Sequence, residues 1–68
     1  MNDTLEIRGH LIQLHAERAL ALSNGLGDID SYMADLDGEI EATRQRYVSS
    51  ALTEIATLRA ELFGAQQG

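Results

Sequence analysis

Apolar residues recur every three or four positions over most of this chain, which is the spacing that gathers them on one face of an α-helix. The pattern stops at Ser23-Asn24-Gly25-Leu26-Gly27 and then resumes. Gly25 suits the left-handed residue that follows many helix ends, and no comparable stop signal appears again before Gly64. No run of β-branched residues alternates with polar ones, so the sequence predicts an all-α protein without strands. The predicted elements are helix 1 over about 4–23, a turn over 24–28, helix 2 over about 29–63 and a frayed tail over 64–68.

A short glycine-containing connection between two amphipathic helices predicts an antiparallel two-helix hairpin. Residues 1–68 then form one helical-hairpin domain with a long second helix. Helix 1 is long enough to cover only the first half of helix 2. A break near Ser49-Ser50 would instead give three helices. Neither glycine nor proline supports a turn there, but the sequence alone leaves that alternative open.

Both helices carry more apolar surface than one hairpin can bury. In the first half of helix 2, apolar residues alternate at spacings of four and three, which is the heptad pattern of a coiled coil. The spacing changes near residue 50, where a second apolar set begins, and helix 1 also has two apolar faces. A chain of 68 residues buries only about 60% of its surface on folding. We therefore expect association, first as a homodimer that forms a four-helix bundle, through Ile7, Leu11, Leu14, Ile29, Met33, Leu36, Ile40, Tyr47, Leu52, Ile55, Leu58 and Leu62.

Ordered charges flank the apolar seam of helix 2. Asp37 and Glu39 come early on the two flanks, whereas Arg44 and Arg46 come late. Two antiparallel copies of helix 2 would place Asp37 against Arg44 and Glu39 against Arg46 of the partner. The alternative is a solvated face whose charges only improve solubility, because exposed ion pairs contribute little to stability. The pattern does not decide between parallel and antiparallel pairing.

Composition narrows the classes of partner. Eleven Asp and Glu against five Arg give a net charge of −6, which is a poor match for the phosphate backbone of nucleic acids. No apolar run approaches the roughly 20 residues of a membrane-spanning helix. The absence of cysteine excludes disulfides and thiolate metal sites. We expect a cytoplasmic protein with no nucleic-acid and no membrane partner.

Candidate chemistry is sparse. His10 and His15 are five residues apart on a helix, so they point in different directions and cannot share a metal within one chain. The acid-dense segment 28–41 lacks the ligand spacing of a calcium-binding EF-hand loop. No serine has convincing histidine and acid partners, and there is no glycine-rich phosphate loop. The sequence therefore predicts no enzyme, no catalytic residue, no cofactor and no metal.

These observations predict a non-catalytic protein–protein interaction module, such as a small oligomerising adaptor, regulator or assembly subunit. The first candidate partner is a second copy of the chain, and another protein is the second candidate. The alternative is an acidic inhibitor or nucleic-acid mimic that binds a basic site on a target protein. That alternative depends on the net charge and on the six acids between Asp28 and Glu41, whereas Arg44 and Arg46 interrupt any longer acidic array.

Overall fold

The structure, a computed structural model, describes residues 3–64. Helix α1 covers Asp3–Ser23, a single 3₁₀ turn covers Leu26–Asp28, and helix α2 covers Asp30–Phe63. The two α-helices have 21 and 34 residues, and the described part of the chain contains no strand. The all-helical class and the two helices predicted from the sequence are therefore confirmed.

The reversal between the helices depends on one glycine. Gly25 adopts the left-handed conformation, with φ 79° and ψ 15°, which residues with a Cβ atom rarely adopt. Just before it, the carbonyl of Leu20 accepts hydrogen bonds from the Asn24 amide (3.1 Å), the Asn24 side chain (2.7 Å) and the Ser23 hydroxyl (3.0 Å). These donors satisfy a carbonyl that the end of α1 would otherwise leave unpaired.

The helices run antiparallel and meet along one stripe on each. On α2 the stripe is the predicted heptad seam, from Met33 to Tyr47, followed by Ser50. The stripe on α1 has residue spacings of 3-4-3-4-3, and it includes the polar residues Thr4 and Arg18 among apolar ones. The α1 stripe consists of Thr4, Ile7, Leu11, Leu14, Arg18 and Ala21, each buried or half-buried.

The buried core is small. Leu14, Ala21 and Leu36 are the buried apolar residues of the described chain, and Thr4 and Thr43 are buried with them. The Thr4 and Ser50 hydroxyls form a hydrogen bond between the start of α1 and the middle of α2. The hairpin is thus a thin two-layer unit, and the molecule measures 60 × 16 × 15 Å.

Three details differ from the sequence-based expectations. Helix α2 begins at Asp30, so Ile29 is an extended residue (φ −88°, ψ 90°) ahead of the helix, 47% exposed and outside the seam. The predicted turn over 24–28 contains the 3₁₀ turn, and α2 passes without a break through Ser49-Ser50, which excludes the three-helix alternative. Of the predicted frayed tail, residues 65–68 lie outside the described residues.

Candidate interaction surface

Helix α2 extends well past the point where α1 begins. The Thr4–Ser50 hydrogen bond marks that point, and α2 continues to Phe63. Residues 51–63, which we call the overhang, therefore form a helical segment of about 20 Å at 1.5 Å per residue. Near its start, Thr53 and Glu54 line a surface depression with Asp3 of α1, and every described residue from 52 onwards is exposed.

The overhang, together with Val48 three residues before it, is rich in large apolar side chains that face solvent. Each is between 43% and 61% exposed, whereas the seam residue Leu36 is 4% exposed. The set consists of Val48, Leu52, Ile55, Leu58, Leu62 and Phe63. Scattered apolar residues are normal on protein surfaces, but contiguous clusters mark sites of interaction.

The apolar face of α2 changes direction near residue 50. The heptad positions that face α1 at Tyr47 and Ser50 become polar in the overhang, where they are occupied by Glu54, Thr57 and Glu61. The apolar residues there follow a new 3-4-3-4 pattern that is shifted by one residue, which is a rotation of about 100°. This new seam consists of Val48, Ala51, Ile55, Leu58 and Leu62. The overhang is therefore amphipathic, but it does not continue the face that packs against α1.

A second exposed apolar stripe lies on α1, on the side turned away from its seam. Leu5, Ile12 and Leu20 are 57–64% exposed, and small residues separate them along the helix. This outer stripe is less dense than the overhang. It provides a second surface on which another helix could pack closely.

Polar contacts close the flanks of the hairpin. Arg18 forms an ion pair with Asp37 at 2.7 Å, and His10 Nε2 lies 3.4 Å from Glu39. The charged residues predicted to pair between copies, Asp37 and Glu39, thus have partners on α1 of the same chain. All four side chains are substantially exposed, so each pair is worth little. These contacts align the two helices rather than drive their association.

Two further flank contacts shift pKa values. The Tyr32 hydroxyl donates a hydrogen bond of 2.7 Å to Glu17, which raises the pKa of Tyr32 above its ordinary value. On α2, the Arg44 guanidinium donates two hydrogen bonds to the Glu41 carboxylate, at 2.6 and 2.9 Å. Those hydrogen bonds lower the pKa of Glu41 to about 2 and raise that of Arg44.

The predicted interface residues separate into two groups. Seven are buried or half-buried in the contact between α1 and α2 of one chain: Ile7, Leu11, Leu14, Met33, Leu36, Ile40 and Tyr47. Five are exposed: Ile29, Leu52, Ile55, Leu58 and Leu62.

Of the charged flanks, Asp37, Glu39 and Arg44 have partners within the chain, and Arg46 lines an open surface depression with Asp3, Glu6 and His10. The sequence did not indicate Thr4 or Arg18 in the seam, and only their heptad spacing could have shown it.

The described residues contain no group of three or more His, Cys, Asp or Glu side chains placed to hold a metal ion. None of the helices over residues 3–64 is both long enough and apolar enough to cross a membrane. No family model, curated protein or solved structure matches the chain.

Proposed function

We propose that this protein is a non-catalytic interaction module that associates through exposed apolar helix surfaces, first with a second copy of itself. The observation that carries the proposal is the overhang, on which five large apolar side chains face solvent, with Val48 exposed just before it. A four-helix bundle is one assembly that would cover both the overhang and the outer stripe of α1. The role is that of a small adaptor, regulator or assembly subunit.

The energetics support reversible association. Complete burial of a Val, Leu, Ile or Phe side chain is worth about 1.5–3 kcal/mol. The six side chains are already about half buried, so covering the remainder on two copies is worth on the order of 10 kcal/mol. Association costs roughly 4–15 kcal/mol in lost freedom of movement. We therefore expect a dimer that forms and dissociates with concentration rather than a permanent one.

Sedimentation equilibrium over a concentration series tests the proposal. The wild-type chain should show a mean mass that rises above 7.4 kDa with concentration. A variant carrying Ile55→Gln and Leu58→Gln should remain monomeric and keep its helical circular dichroism spectrum, because neither residue lies in the α1–α2 seam. The matched control is Gln45→Asn, an exposed change outside the overhang. A wild-type chain that stays at 7.4 kDa throughout the series would refute the proposal.

Salt separates this function from the acidic inhibitor or nucleic-acid mimic. Binding of a basic target through the acidic segment should weaken steeply with ionic strength, whereas apolar association should persist. Three acids of that segment already have partners in the chain: Asp37 with Arg18, Glu39 with His10 and Glu41 with Arg44. The two pairs with arginine reduce the charge available to imitate phosphate, which counts against the mimic.

A further inference from the structure

We infer that two copies pair antiparallel through their overhangs, so that residues 51–62 of one chain lie beside residues 62–51 of the second. This inference rests on the proposed self-association and adds its geometry. The surface involved is the part of the overhang seam within this range, Ala51, Ile55, Leu58 and Leu62. Every large member of this seam is exposed in the monomer.

The seam is complementary to a reversed copy of itself. Antiparallel pairing centred between residues 56 and 57 places Ala51 opposite Leu62 of the second copy and Ile55 opposite its Leu58. Two-fold symmetry repeats both contacts, so the interface has four layers of facing residues. Each outer layer pairs the small Ala51 with the large Leu62, and each inner layer pairs Ile55 with Leu58. Layers of this kind interdigitate as in an antiparallel coiled coil, because a small residue leaves room for a large one opposite.

The distribution of charge favours this orientation over a parallel one. Residues 48–63 contain two acids and one arginine, a net charge of −1, whereas segment 28–41 contains six acids and no base. Parallel, in-register helices would place the two acidic segments side by side. Antiparallel pairing separates Glu41 from its counterpart by about 45 Å at 1.5 Å per residue. That distance is several times the screening length of about 8 Å at physiological ionic strength.

The contact area fits a reversible dimer. The pairing covers the exposed halves of Ile55, Leu58 and Leu62 on each copy, which makes six large apolar side chains in total. An interface of this size belongs with small, transient contacts rather than with permanent dimers. The antiparallel pairing also offsets the two hairpins, so it leaves the outer stripe of α1 uncovered and differs from a four-helix bundle.

Disulfide trapping tests the geometry, because the chain has no native cysteine. In the antiparallel dimer residue 62 lies beside residue 51 of the second copy, and about 16 Å along the axis from the other residue 62. A disulfide requires Cα atoms within about 7 Å. A mixture of Ala51→Cys and Leu62→Cys chains should therefore form a mixed disulfide in high yield, and Leu62→Cys alone should form almost none. The two variants differ in mass, so mass spectrometry identifies each linked species.

Gln45→Cys on the exposed side of α2 is the background control, and Ile12→Cys and Leu20→Cys report on the outer stripe of α1. A mixed 51–62 disulfide well above the Gln45→Cys background supports the inference. Efficient linking of Leu62→Cys to itself would show parallel pairing, and preferential linking through Ile12→Cys or Leu20→Cys would show contact through α1. Either result overturns the inference and leaves the proposed function standing. A chain that is monomeric by sedimentation overturns both.

Discussion

Leu36 and Leu58 lie on the same helix, and the structure places them in opposite environments. Leu36 is 4% exposed within the α1–α2 seam, whereas Leu58 is 53% exposed on the overhang. Replacement of each by alanine removes the same atoms from the same kind of backbone. The pair therefore separates the contribution of a side chain to the hairpin from its contribution to association.

The expected losses differ by several kcal/mol. Truncation of a buried leucine to alanine typically costs 2–5 kcal/mol, because the burial is lost and a cavity remains. A domain of this size has only about 3–5 kcal/mol of stability, so Leu36→Ala should leave little folded protein. Leu58 contacts no second helix within the described chain, and alanine is the better helix former. Leu58→Ala should therefore change the stability of the monomer by no more than about 0.5 kcal/mol.

Urea denaturation followed by circular dichroism provides the assay, at one protein concentration below and one above the onset of association. Leu36→Ala should lack a folded baseline at both concentrations. At the low concentration, Leu58→Ala should have the same unfolding free energy as the wild-type chain. At the high concentration, we expect association to stabilise the wild-type chain further, and Leu58→Ala should lack this additional stability. Equal destabilisation by both variants at the low concentration would refute this assignment, since the overhang would then be part of the monomer core.

Other perturbations follow from particular contacts. Ile40→Asp should unfold the chain, as seen in the circular dichroism spectrum, because it places a charge in the half-buried seam where no partner neutralises it. Gly38→Ala should raise the unfolding free energy by up to about 1 kcal/mol, because an added Cβ atom meets nothing within 4 Å. Gly25→Ala should lower the unfolding free energy, because φ at this position is +79°. Thermal melts in which both variants shift in the same direction would contradict this pair of predictions. Arg44→Gln should raise the pKa of Glu41 from about 2 towards its ordinary value of 4.5, measured by NMR titration. Because this pKa is depressed in the folded chain, the contribution of the pair is complete above pH 4.5 and is lost as the pH falls towards 2.

The helix boundaries could be predicted from the sequence because local rules decide them here. Each of these rules depends only on residues close together in sequence. They are the 3.6-residue period of apolar residues, a glycine suited to positive φ, and the absence of proline. Those signals placed the end of α1 at Ser23 and the end of α2 at Phe63, as in the structure. Ile29 was assigned to the helix because its spacing fits the seam, whereas the 3₁₀ turn before it holds its backbone extended.

The partner of each face could not be predicted in the same way. A hydropathy pattern shows that a face is apolar but not which helix covers it. From the sequence, residues of the α1–α2 seam and of the overhang are therefore all predicted to lie in an interface between chains. The polar seam residues were missed for a related reason. The Thr4 hydroxyl bonds with Ser50, and the Arg18 guanidinium pairs with Asp37, so both polar groups have partners where they lie in the seam. Both partners are distant in sequence, and only the folded chain brings them together.

Under the proposed self-association, the change of apolar face near residue 50 would let one helix serve two contacts. If the α1 seam continued through the overhang, a second copy could displace α1, and the hairpin and the dimer would compete for one surface. Glu54 and Glu61 occupy the positions where that continuation would need apolar residues, which disfavours the exchange because their burial without partners is costly. The overhang instead presents Ile55 and Leu58, each one residue past a position of that continuation and therefore about 100° away around the helix. Association can then add to the hairpin without opening it, so the two contacts should respond independently to mutation.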